Sequence, residues 1–219
     1  MRVGFVVKGD LQGLKNTPQV EEGGLLLLGF DTFGEVSYEK ELKGESACFE
    51  EIALLSKRLK NVVVCGCVTD TRGLKRKSAI IADNGKILGV SDMLNVTDGE
   101  KNCGANLRVY ETKAGKIGVA VAEDLYFPET IKALSLCGAD YVVCPFERVT
   151  CSIQSVLLRA YAFSFGTPIF LCARGYAMIA DGAGEIAFSS PQSPVYFDFI
   201  NVKEYHVLQT RRRLHKPIT

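Results

Sequence analysis

The chain has 219 residues, 47% hydrophobic and 23% charged, a composition that suits one globular domain and argues against disorder. Its 26 Lys+Arg against 25 Asp+Glu leave a formal net charge of +1. Such a balance offers no broad field for nucleic acid or an anionic membrane. The one basic cluster, Arg211, Arg212, Arg213, His215 and Lys216, reads as a solvated C-terminal tail.

In chain order, Val3–Val7 reads as a strand, and glycines and a proline crowd the stretch from Lys8 to Gly24, against a long helix there. Leu25–Leu28 is a continuous apolar run, as in a strand buried on both faces. Residues 44–60 carry Cys48, Ile52, Leu55 and Leu59 at helical spacing, and Asn61–Val68 is a second buried strand. Ser78–Ala82 turns at Asp83-Asn84-Gly85 into Lys86–Val90, a hairpin with Asn-Gly at its corner. Leu107–Glu111 and Lys116–Ala122 form the next strand pair. Pro128 opens a helix through Leu136, and Tyr141–Cys144 is a strand. Residues 150–165 are helical and Pro168–Ala173 is a strand. Tyr176–Ala180 and Ile186–Ser189 flank Asp181-Gly182-Ala183-Gly184 in a second hairpin, and Val195–Ile200 closes the series. This order predicts a layered α/β fold in a single domain, with no linker, repeat or low-complexity tract.

No apolar run reaches the ~20 residues of a membrane span, and the N-terminus lacks a signal-peptide core. The eight cysteines are therefore expected to be reduced thiols in the cytoplasm, several of them serving as small apolar residues in strands. Cys65 and Cys67 lack the second ligand pair of a zinc site, so no metal is expected. No P-loop, dinucleotide fingerprint, H-E-x-x-H or G-x-S-x-G is present, so no cofactor is indicated.

Residues 115–129, G-K-I-G-V-A-V-A-E-D-L-Y-F-P-E, resemble the nucleophile segment of the carbon–nitrogen hydrolase (nitrilase) superfamily, G-K-I-G followed by apolar residues and C-Y-D-L-R-F-P-E. The likeness continues through the helix ending in Gly138-Ala139-Asp140 and the strand ending at Cys144-Pro145. Val62–Gly89 and Met178–Phe188 resemble the family's two hairpins. The resemblance covers most of the chain and implies an α-β-β-α sandwich that pairs into homodimers through helix faces.

Thiol hydrolysis of an amide or nitrile needs a thiolate, a base and a group that stabilises developing negative charge. The family supplies Cys, Glu and Lys. On this resemblance the cysteine falls on Ala122, the glutamate on Phe30 and the lysine on Met93, with Asp31 or Asp92 reached by a one-residue slip. Asn95 stands where the family has histidine, and the R-A-x-E-N element becomes Arg159-Ala-Tyr-Ala-Phe163. No catalytic residue is intact, so the expectation is a pseudoenzyme.

Three roles remain open. Asp31, Asp92, Glu123 and Asp124, with Glu147 and Arg174 at neighbouring strand ends, could line a small-molecule pocket, and its acids would suit a cation beside Phe30 or Phe146. Against this, Asp124 resembles the family's structural aspartate, and Glu123 could face solvent or pair with Arg148 or Arg174. A relocated nucleophile would be Cys144, Cys151 or Cys172. An assembly subunit would use the helix Pro128–Leu136 or the segment His206–Thr219.

Overall fold

The computed structural model describes residues 1–9, 23–96, 102–150 and 152–201. The stretch after the first strand, Cys151 and the basic C-terminal cluster lie outside them.

The first sheet is built from β1 (Arg2–Val6), β2 (Leu25–Leu28), β3 (Glu35–Ser37), β4 (Val62–Thr71), β5 (Leu74–Asp83), β6 (Lys86–Asp92) and the last strand, β13 (Val195–Asp198). Its order is β13-β1-β2-β4-β5-β6, with β3 beside the far end of β4. β2 runs parallel between β1 and β4, and all four of its leucines are buried. This is the physical reason for its unbroken apolar run. The β5–β6 corner at Asn84-Gly85 has φ of 48° and 82°, the left-handed pair that a tight hairpin turn demands.

The second sheet contains β7 (Val109–Thr112), β8 (Gly115–Val119), β9 (Tyr141–Pro145), β10 (Ile169–Ala173), β11 (Tyr176–Ala180) and β12 (Ile186–Ser190), in the order β12-β11-β10-β9-β8-β7. Between the sheets lies one apolar core, with Phe5, Leu27, Val64, Ile81, Val119, Val143 and Phe170 buried in it. Helices cover both outer faces. α1 (Tyr38–Lys43) and α2 (Cys48–Leu59) flank the first sheet, where Ile52, Leu55 and Leu59 of α2 pack on Val63, Cys65 and Ile80. α3 (Pro128–Leu136) and α4 (Ile153–Phe165) cover the second, with Ile131, Leu134, Leu158 and Ala162 against Val142 and Leu171. The result is the expected α-β-β-α sandwich.

The predicted helix over 44–60 starts later, at Cys48. Its cap comes from a distance: the Glu41 carboxylate on α1 accepts the N–H groups of Cys48 (2.9 Å) and Phe49 (3.2 Å). α1 and β3 were not anticipated. Cys65 and Cys67 point into the apolar layer under α2, and among the described residues no group of three or more His, Cys, Asp or Glu side chains is placed to hold a metal. No helix among them is long and apolar enough to cross a membrane.

Candidate functional site

β8 delivers the chain to the inter-sheet space and stops at Val119. After it, Ala120, Val121 and Ala122 are all fully buried. Ala122 has φ of 49°, a left-handed backbone that costs an L-residue about 1–2 kcal/mol. It opens a short 3-10 helix, Ala122–Tyr126. Asp124 holds this elbow. Its carboxylate accepts the N–H of Val121 (3.3 Å) behind it. Across the sandwich edge it accepts the N–H groups of Leu94 (3.0 Å) and Asn95 (2.8 Å) and the Asn95 side-chain amide (2.8 Å). Burial raises the Asp124 pKa and outweighs these four donors, which lower it. Asn95 also donates to Thr130 on α3 (2.9 Å), so it ties the loop after β6 to the elbow and the helix behind it.

The three positions that the resemblance assigns to cysteine, glutamate and lysine all lie in the core between the sheets. Ala122 and Met93 are fully buried, Phe30 is nearly so, and all three belong to the inter-sheet core. The Phe30 ring fits a notch at Gly66, where a Cβ would lie 2.8 Å from the ring and 3.0 Å from Pro145. All three side chains are apolar and packed into that core.

A lysine nevertheless stands at the elbow, from β5, whose expected span of Ser78–Ala82 began one residue after it. Lys77 on β5 sits directly across the hairpin from Met93, whose N–H donates to the Lys77 carbonyl (2.8 Å). Its ammonium contacts both Glu123 oxygens (2.8 and 2.9 Å) and Oε2 of Glu147 (3.1 Å). The Lys77 and Glu123 side chains are only 12% and 16% exposed, so this is a largely desolvated ion cluster. Glu123 therefore neither faces solvent nor pairs with Arg148 or Arg174. The only signal was strand register, which motif matching does not carry.

The remaining acids do not converge into one pocket. Asp92, the last residue of β6, accepts from the Ser78 hydroxyl (2.7 Å) and faces the α1 side near Tyr38, away from the core that buries Met93. Asp31 forms an ion pair with Arg174 (2.6 Å). Phe146 is turned away from the inter-sheet space into the layer under α4, edge-on to Tyr126 at 6.1 Å.

Of the two described candidate thiols, Cys144 is fully buried with Sγ 3.9 Å from the Ala122 carbonyl. Burial pushes its pKa well up, and the charges of Asp124 and Glu123 push the same way. Cys172 is also fully buried, and its thiol is pushed up to about 12 by burial. Both environments disfavour a thiolate. Arg159 serves the β11–β12 hairpin, donating to the Gly184 carbonyl (2.8 Å).

Across residues 25–195, 171 of the 219 positions, the chain matches the family model for carbon-nitrogen hydrolases. The chain belongs to the carbon-nitrogen hydrolase family. A probable nitrilase of Schizosaccharomyces pombe is 25% identical to this family member over 126 residues, 54% of this chain and 46% of that protein. The match thus spans less than half of that relative's length. Among solved structures, Nit3 of Saccharomyces cerevisiae, a member of branch 10 of the nitrilase superfamily, superposes with a TM-score of 0.74 at 16% identity, covering 100% of this chain and 95% of that one. A carbon-nitrogen hydrolase from Helicobacter pylori G27 gives 0.72 at 15% identity, covering 98% and 91%. An amidase from Nesterenkonia sp. gives 0.68 at 17%, covering 90% and 88%. These likenesses establish that this carbon-nitrogen hydrolase relative has the nitrilase fold.

Proposed function

We propose that this member of the carbon-nitrogen hydrolase family is a pseudoenzyme: it keeps the scaffold, has lost hydrolysis at the elbow, and serves as a binding, regulatory or assembly protein. One observation carries the reading. Phe30, Met93 and Ala122 are each buried in the apolar core between the sheets, and none offers the carboxylate, ammonium or thiol that thiol chemistry needs. A methyl group has no lone pair to attack a carbonyl. Lys77 does not make up the loss, because an ion-paired ammonium has no lone pair with which to attack a carbonyl. Exposed Leu136 on α3 and Val156 and Phe163 on α4 support homodimer pairing through these helix faces. The free thiols among the described cysteines are in keeping with a cytoplasmic location.

A second reading has its own support. The family and its neighbours include amidases, and Cys144 Sγ lies 3.9 Å from the elbow carbonyl. In that reading a relocated thiol carries amide or nitrile hydrolysis. Ammonia release from a panel of amides, nitriles and carbamoyl compounds separates the two, with Cys144→Ala, Cys151→Ala and Cys172→Ala assayed in parallel. The pseudoenzyme reading expects no turnover from any of the four proteins. Turnover that one substitution abolishes would establish the hydrolase and name its nucleophile.

A further inference from the structure

Glu123 at the elbow has a cation against it, whereas a neighbouring cleft is lined by two arginines and no carboxylate. It has a volume of about 410 Å³, within the range of small-molecule pockets. Its walls are Arg148 and Val149 after β9, Ser152 and Ser155 at the start of α4, and the tight Arg174-Gly175 turn between β10 and β11. Arg148, Arg174, Ser152 and Ser155 supply its polar lining, and Tyr176 and Met178 much of its apolar lining. No lining residue is a carboxylate.

The arrangement is fixed at the backbone. Arg174 N–H donates to the Glu147 carbonyl (3.0 Å), and Gly175 N–H to the Val7 carbonyl (2.7 Å). Arg174 Nε pairs with Asp31 (2.6 Å), which orients the guanidinium, and the Arg174 side chain remains 65% exposed. Arg148 is exposed and forms no ion pair among the described residues. Ser152 caps α4 without its hydroxyl bonding to the helix, and the first turn of α4 carries no acidic residue. The open end of this thirteen-residue helix adds positive potential to the two guanidinium groups.

From this geometry we infer that the cleft binds a small organic oxyanion, a carboxylate or phosphate monoester, whose charged group lies between Arg148 and Arg174 and whose apolar body rests on Tyr176 and Met178. A guanidinium fork pairs two oxygens of either group in parallel, which a neutral amide or an ammonium cannot match. The inference goes beyond the loss of catalysis and stands whether or not the elbow hydrolyses anything.

The test is titration of the full-length protein with four probes of one shape: phenylacetate, phenyl phosphate, phenylacetamide and benzylamine. Calorimetry gives the affinities, and amide chemical shifts give the location. The expected result is that at least one anion binds ten-fold or more tighter than the amide and the amine, with shifts at Ser155, Gly175 and Tyr176. Whether phenylacetate or phenyl phosphate binds better identifies the natural headgroup. Arg148→Gln, an exposed change that leaves the core untouched, should weaken the anion at least ten-fold, and Arg148→Lys should recover part of the loss. Equal binding of amide and anion, preference for benzylamine, no binding of either anion, or an unchanged affinity in Arg148→Gln would each overturn the inference.

Discussion

Replacing Lys77 by methionine keeps its length and removes its charge, which isolates the ion cluster at the elbow. In the wild type one ammonium lies within 2.8 to 3.1 Å of three oxygens from two carboxylates. Removing it leaves Glu123, 16% exposed, without its cation and beside a second negative charge. Breaking a buried ion pair by deleting one partner costs roughly 3–5 kcal/mol. Glu147 is 48% exposed and can recover water, so the lower end applies, about 3 kcal/mol. For a chain of this size that corresponds to a fall in Tm of roughly 6–12 °C. Urea unfolding followed by far-UV circular dichroism measures the loss. Lys77→Met combined with Glu123→Gln should regain more than half of it, because the stranded charge has gone. A single variant within about 1 kcal/mol of wild type, or a double variant no better than the single, would refute the account of Lys77 as a desolvated bridge.

Three further outcomes follow from the same geometry. Ellman's reagent should titrate Cys103 and Cys137, which are exposed, while Cys65, Cys67, Cys144 and Cys172 react only on unfolding; fast native modification of Cys144 would revive the relocated nucleophile. Those four buried thiols all have pKa values raised by burial, Cys67 and Cys172 to about 12 against an ordinary 9.0. Above pH 9 the unfolded chain releases these protons and the folded chain keeps them. Stability should therefore be intact below pH 9 and fall as pH rises beyond it, by up to about 1.4 kcal/mol per pH unit for each thiol, measurable as urea midpoints from pH 7 to 10.5. Asp124→Ala should cost about 3 kcal/mol in the same assay, since it leaves the backbone donors of Val121, Leu94 and Asn95 without their shared acceptor; a loss under 1 kcal/mol would mean that the elbow is held by packing alone.

Legibility of the fold followed burial. Leu25–Leu28, Pro128–Leu136 and Tyr176–Ala180 have the bounds expected of them, because an unbroken apolar run, an N-terminal proline and a hairpin corner are each local signals. α1 escaped notice because none of its residues is buried, so it has no apolar stripe to read. β3 is three residues long and exists only because β4 extends to Thr71 beside it. At the site, the F-P-E and G-K-I-G flanks brought Ala122 to the elbow, but a linear motif cannot say what stands opposite across a hairpin. The pairing of β5 with β6 sets Lys77 opposite Met93, and from there its ammonium meets Glu123 on the elbow. Asp92 illustrates the same limit from the other side. A one-residue slip from Met93 is small in an alignment, but in a strand it moves the side chain to the opposite face of the sheet.

Two sheets that meet only through apolar side chains can slide over one another with little loss of contact area, since greasy surfaces lack direction. Asp124 and the Lys77 cluster act otherwise. Each carries bonds from the second sheet to the rim of the first, at the same corner, and each bond has a preferred length and angle. This corner thus works as a dowel joint. It sets the offset of one layer against the other, and a partner or ligand that loosened it would be felt across the whole sandwich.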